Sequence, residues 1–278
     1  MIRIFVFSYS GDAAEAVACV RCVRMAVPYA SVTVVDDAAS PVQEDTAAAL
    51  RSIGADYVQS SWDRQGNLRG PACIRGMLSE MCREAEDDDI VVKIDCDTAL
   101  LDDGWLRWMD AHPACPMYAS GDFVAGAWRI YGCLYALRGW IARRLYREMD
   151  WTLLDDLAPE DVTIGREVLA RVPATVCRIE EPWRQRSPWS EWTAWCWPSR
   201  TASAESYAAR FAMVTTGSPR QDHQPASERA RVMHLLADAR AAMLQDGVTR
   251  EDDEAVDWGG LMAACRGDAG ALHTPCPE

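Results

Sequence analysis

Two aspartates one residue apart, Asp95 and Asp97, close the segment IVVKIDCD at residues 90–97. In an extended chain, residues i and i+2 point to the same side, roughly 7 Å apart. Both carboxylates then face one point and Cys96 turns away. Carboxylates held this close repel unless a cation lies between them. Hard oxygen donors with open positions suit Mg2+ or Mn2+, ions that keep waters and bind phosphate groups. The competing account is a solvated strand end whose acids cap the next turn. The apolar run at residues 90–92 places the pair at the mouth of a buried strand and favours the metal.

Other chemistry-bearing residues are scattered along the chain. SVTVVDD at 31–37 ends in Asp36 and Asp37, which suit a base N–H or a ribose hydroxyl and equally suit turn capping. Glu160 and Asp161 follow Pro159, where acids are also favourable against a helix dipole. Asp122 lies in ASGDFVAG between two short strands. Arg69 and Arg75 are cations that suit a diphosphate, or are ordinary exposed charges. Of the four histidines, His112, His223, His234 and His273, only His223 falls in a loop after a candidate strand, and His234 sits inside a helix where packing is expected.

The elements that must position these groups are legible from periodicity. Strands are expected at 2–9, 31–37, 55–60 and 90–95, with helices at 13–27, 41–54 and 71–85 between them. This alternation implies a mostly parallel sheet with helices on both faces, and ligands bind beyond the carboxyl ends of such strands. Ser8 and Tyr9, Asp36 and Asp37, and Asp95 and Asp97 all fall at such ends. Later segments look mixed, with short strands within 116–126 and 128–137, helices at 139–149, 159–172 and 226–247, and a strand within 207–217. Residues 180–200 form a loop holding Trp183, Trp189, Trp192, Trp195 and Trp197, whose spacing fits neither one helix stripe nor one strand. Most of these rings are expected to pin the loop, with one or two available to stack on a sugar.

Composition bounds the rest. The chain has 278 residues, 49% of them hydrophobic, enough for a sizeable core. The net charge of −14 repels phosphate backbones and argues against nucleic-acid binding. The 11 cysteines include one CxxC-like pair, Cys19 and Cys22, without a second pair at finger spacing, so buried thiols are expected. Such thiols, an N-terminus read as a strand rather than a leader, and the lack of a long apolar run point to a cytoplasmic protein without a membrane-spanning segment.

Several stretches, taken in order, resemble nucleotide-sugar-dependent glycosyltransferases of the GT-A fold. VFSYSGD resembles their first nucleoside-binding strand, VTVVDDAAS their second, GNLRGPACIRGM the segment before the metal motif, and IVVKIDCDTALL the DxD strand. APEDVTIG at 158–165 resembles the acidic motif of the inverting members, most nearly the fringe-like β-1,3-glycosyltransferases. The resemblance covers roughly residues 1–175 and implies a Rossmann-like sheet with a mixed C-terminal acceptor part. It implies a donor of nucleoside-diphosphate sugar, UDP before GDP, and a carbohydrate or other hydroxyl acceptor. It further implies Mn2+ or Mg2+ on Asp95, Asp97 and His223, and donor contacts from Ser8, Tyr9, Asp36, Asp37, Arg69, Arg75, Asp95 and Asp122. Asp161, beside Glu160, would be the catalytic base.

The implied layout is one catalytic domain at 1–265. Its donor half is 1–110, its acceptor half 111–225 and its C-terminal helices 226–265, with a loose tail at 266–278. Departures are Ile94 before the motif and Cys96 within it. Haloacid-dehalogenase-like phosphatases also carry DxD, with the first Asp as nucleophile, but in the first strand and with Thr or Val where Ala99 stands here. Sugar nucleotidyltransferases carry a Gly-rich basic loop that SYSGDAAE lacks. A non-catalytic nucleotide- or carbohydrate-binding relative of the fold is the remaining alternative.

Overall fold

A computed structural model describes residues 1–64, 68–180, 193–194, 204–216 and 226–246. The first half follows the alternation read from the sequence: β1 (Ile2–Ser8), α1 (Ala13–Ala26), β2 (Ser31–Asp36), α2 (Glu44–Ser52), β3 (Asp56–Gln59), α3 (Gly70–Cys82) and β4 (Ile90–Asp95). Then come β5 (Thr98–Leu100), α4 (Gly104–Ala111), β6 (Met117–Val124), β7 (Ala127–Arg138), α5 (Gly139–Glu148) and α6 (Glu160–Leu169). The remaining elements are β8 (Arg178–Glu180), β9 (Thr193–Ala194), α7 (Ala204–Arg210), β10 (Met213–Thr215) and α8 (Ala226–Gln245). The segment at 207–217 thus splits into the end of a helix and a short strand.

Seven strands form one sheet in the order β3-β2-β1-β4-β7-β6-β8. Only β7 runs against its neighbours; the other pairings are parallel. The chain steps from β1 outward to β2 and β3, then returns to lay β4 on the other side of β1. That reversal opens a crevice at the carboxyl ends of β1 and β4, the place where such sheets take ligands. A second, three-stranded sheet, β5-β10-β9, follows directly on β4.

Strand alternation divides the core in two. Ile4, Val6, Val32, Val34, Val92 and Ile94 face one side, against α1, α4 and α8. Phe5, Phe7, Val35 and Val91 face the other, with Tyr135, against α3, α5 and α6. Cys19 and Cys22 are free thiols wholly buried in the first cluster, as expected, and burial pushes Cys22 up to about 12. Among the described residues no helix is long and apolar enough to cross a membrane.

Candidate active site

The crevice is floored by β4. Its residues Lys93 and Asp95 share a face, and Lys93 Nζ donates to Asp95 Oδ1 at 2.6 Å. The Lys93 side chain is 1% exposed, that of Asp95 29%. On its other side Lys93 pairs with Glu160 Oε1 at 2.9 Å and donates to the carbonyl of Gly132. Burial works to lower Lys93, but Asp95 and Glu160 outweigh it and hold the ammonium above its ordinary value. A lysine inside an apolar strand, two residues before an aspartate, is the sequence signal for this bridge.

Glu160 and Asp161 open α6, whose first turn lies against β7. Asp161 Oδ2 accepts from the Gly132 N–H at 3.0 Å, and Oδ1 from Val162 N–H at 2.7 Å. Burial raises both carboxyls, Glu160 to about 7 with Lys93 opposing. The start of α6 is clipped to the start of α3: Gly70 N–H donates to Ala158 O and Glu160 N–H to Leu68 O, each at 3.0 Å. Arg69 bridges Pro159 across this clip, with its side chain exposed beside the acidic turn.

Asp97 lies just past β4. Its carboxyl is pushed up to about 7, first by burial, then by the charges of Asp95 and Asp12. Asp12, at the start of α1, pairs with the buried Arg64 at 2.8 Å; burial pushes it up to about 6 although Arg64 opposes this. Arg64 also donates to Phe7 O and lies over the Tyr9 ring, 4.9 Å from its centroid. Neither Asp12 nor Arg64 stands out in the sequence, since each lies in a polar stretch without an apolar run to mark it. Glu15, buried on α1, pairs with Arg229 of α8 and is raised mainly by its burial.

Other expected positions divide. Ser8 is fully buried at the end of β1, and its Oγ has no hydrogen-bond partner among the described residues. Asp36 Oδ2 accepts from Val42 N–H at 2.9 Å and from the Tyr57 hydroxyl at 2.5 Å, while Oδ1 is buried without a partner among the described residues. Asp37 Oδ1 accepts from Ala39 N–H, closing a turn. Asp122 forms a two-point pair with Arg129 across the β6–β7 hairpin. Arg75 is exposed on α3, 6.0 Å from the Tyr146 ring of α5, and contacts none of these carboxylates. His234 is half-buried on α8, with Nδ1 3.3 Å from Arg21. His223 and the five tryptophans of 183–197 lie outside the described residues.

Asp95 and Asp97 supply hard oxygens, and a divalent cation would offset the burial, and the repulsion from Asp95, that raise Asp97, so the donor set fits Mg2+ or Mn2+. Among the described residues no third His, Cys, Asp or Glu completes a metal-binding group. Among the described residues Ser8 Oγ, Asp36 Oδ1 and Arg64 Nε are buried polar atoms without a partner, and Ser8 and Asp36 close β1 and β2.

The sequence matches no family model and no curated protein. Among solved structures, the galactosyltransferase LgtC in complex with donor and acceptor sugar analogues is similar over 86% of this chain and 96% of its own, at 14% identity and a TM-score of 0.50. An active-site mutant of LgtC (14% identity, 100% and 98% covered, TM-score 0.48) also aligns. So does the glycosyltransferase GlyE of Streptococcus pneumoniae TIGR4, at 8% identity, 88% and 63% covered, TM-score 0.47. The first likeness, together with the strand order, shows the architecture: this chain has a GT-A type α/β fold.

Proposed function

We propose that the chain moves a sugar, of hexose type, from a nucleoside-diphosphate donor to a hydroxyl of a carbohydrate or other acceptor, with inversion. One observation carries the reading. Asp95 and Asp97 at the end of β4 and Glu160 and Asp161 at the start of α6 come from segments over 60 residues apart, yet Lys93 joins them into one cluster. The resemblance of 158–165 to the fringe-like acidic motif and the fold shared with a galactosyltransferase support it.

In this reading residues 1–265 are one catalytic domain. Asp95 and Asp97 hold Mn2+ or Mg2+, with His223 as the candidate further ligand. The ion, when bound, offsets the negative charge that develops on the departing diphosphate. Ser8, Asp36 and Arg64 meet the nucleoside, through the atoms that otherwise lack partners. Arg69, exposed at the α3–α6 clip, contacts the diphosphate in this reading. Two backbone N–H groups orient Asp161, and burial raises its basicity, so it takes the proton of the attacking hydroxyl. Glu160 commits its carboxylate to Lys93 and is less suited to that step.

Calorimetric titration of UDP and GDP, with and without Mn2+, tests the reading on wild type and Asp97→Ala. Manganese-dependent binding of one nucleotide, lost in the variant, is expected. If neither nucleotide binds under any condition the sugar-transfer reading falls, and an assay of generic phosphate esters then takes up the phosphatase alternative.

A further inference from the structure

Lys93 stands in the middle of the central strand, in register with Phe5 of β1 and Tyr135 of β7. Burying an ammonium there is costly, and replacing a buried ion pair by well-packed apolar residues is often neutral or stabilising. Stability alone therefore does not account for this lysine. Its contacts do. It reaches Asp95 on its own strand, the carbonyl of Gly132 on β7 and Glu160 on α6. The same Gly132 turns its N–H to Asp161. One residue of β7 is thus held by Lys93 through its carbonyl and holds Asp161 through its amide. Nothing larger than glycine fits there without movement: a Cβ on Gly132 would lie 3.2 Å from Glu160 Oε2 and 3.4 Å from Lys93 Nζ.

We propose that Lys93 is a positioning residue that fixes the start of α6, and with it Asp161, relative to the Asp95–Asp97 pair. This rests on the sugar-transfer reading for its purpose, but the spacing it sets is a property of the fold. Lys93 also occupies Oδ1 of Asp95.

The test uses the full chain as wild type, Lys93→Met and the double variant Lys93→Met/Glu160→Gln, the last so that no buried carboxylate is left facing an apolar side chain. Three readouts are taken: amide hydrogen exchange of the peptide spanning 158–166, Mn2+-dependent UDP binding, and UDP release from UDP-glucose and UDP-galactose. In both variants the 158–166 amides are expected to exchange at least about tenfold faster while those of α8 are unchanged. UDP binding is expected to stay within about threefold and UDP release to fall about 100-fold, the cost of a misplaced group. Unchanged protection of 158–166 overturns the proposal. So does a double variant that recovers both protection and turnover, because Lys93 would then only neutralise Glu160. A wild type that binds no nucleotide sinks the sugar-transfer reading instead, and the exchange data still decide whether Lys93 holds α6.

Discussion

Thr216 grips one carbonyl of Asp97 twice, through its N–H at 2.7 Å and its hydroxyl at 2.8 Å. The β5–β10 pairing continues this contact, since Thr98, Ala99 and Leu100 lie opposite Thr215, Val214 and Met213. The second acid of the DxD pair is therefore held by chain more than 100 residues downstream. Replacing Thr216 by valine keeps the shape and the N–H but removes the hydroxyl bond. Urea unfolding should show a loss of about 1 kcal/mol, the net worth of one such bond. Mn2+-dependent UDP binding should weaken at the same time. A variant destabilised by that amount with unaltered binding would show that the grip serves the fold and not the site.

The Asp12–Arg64 pair sets a pH dependence whose sign can be worked out. The Asp12 side chain is 15% exposed, and burial pushes its carboxyl up to about 6 in the folded chain, above the ordinary 3.8. The folded state then binds this proton more tightly than the unfolded state. The contribution is present below the ordinary value and is lost as pH rises through about 6. Wild type should accordingly lose more stability than Asp12→Asn between about pH 4 and about pH 7, by up to roughly 3 kcal/mol for a shift of this size. Urea melts across that range measure it; parallel curves for the two proteins would rule it out.

How much of this was legible in the sequence varies by element. The strands at 2–8, 31–36 and 90–95 and the helices between them were readable because each is a long periodic segment closed by Gly, Pro or acids. So was the placing of Ser8, Asp36 and Asp95 at strand ends on one edge. The β5–β10 pairing was not, since both strands have three residues and their pairing depends on the tertiary fold. Helix α4 was missed because a single eight-residue helix carries only two turns of periodic signal. Lys93 was visible but had no assigned task, because its partners Gly132 and Glu160 are brought to it only by β7 and α6.

Gly70 and Gly54 both adopt positive φ, at +75° and +88°, and make a matched pair for testing the α3–α6 clip. A Cβ on Gly70 would meet Asp156 O at 2.7 Å, a backbone atom that can yield only by moving the turn before α6. The nearest atom to a Cβ on Gly54 is Nε of the Arg24 side chain, at 3.4 Å. Gly54→Ala should cost about 1 kcal/mol, from its backbone conformation alone. Gly70→Ala should cost about 2–3 kcal/mol and also lower UDP release from the donor sugar. Equal losses in the two variants, with turnover intact, would mean that the clip does not position Asp161.

Asp161→Asn separates proton transfer from architecture. An asparagine keeps the size of the side chain and one oxygen to accept from the backbone, but its amide nitrogen cannot accept from the second N–H, and the side chain takes no proton at neutral pH. One of the two N–H groups that orient Asp161, from Gly132 or Val162, loses its acceptor, while the Asp95–Asp97 pair is untouched. Mn2+-dependent UDP binding should therefore match wild type while turnover drops by about 100- to 10,000-fold, the range for loss of a general base. In wild type, proton NMR of the first-formed product should show the anomeric configuration opposite to that of the donor, because a base acting on the acceptor hydroxyl delivers it to the face away from the leaving diphosphate. Retained turnover in Asp161→Asn would move the base elsewhere in the cluster. A product that keeps the donor's configuration would exclude the single displacement and, with it, the role of Asp161 as its base.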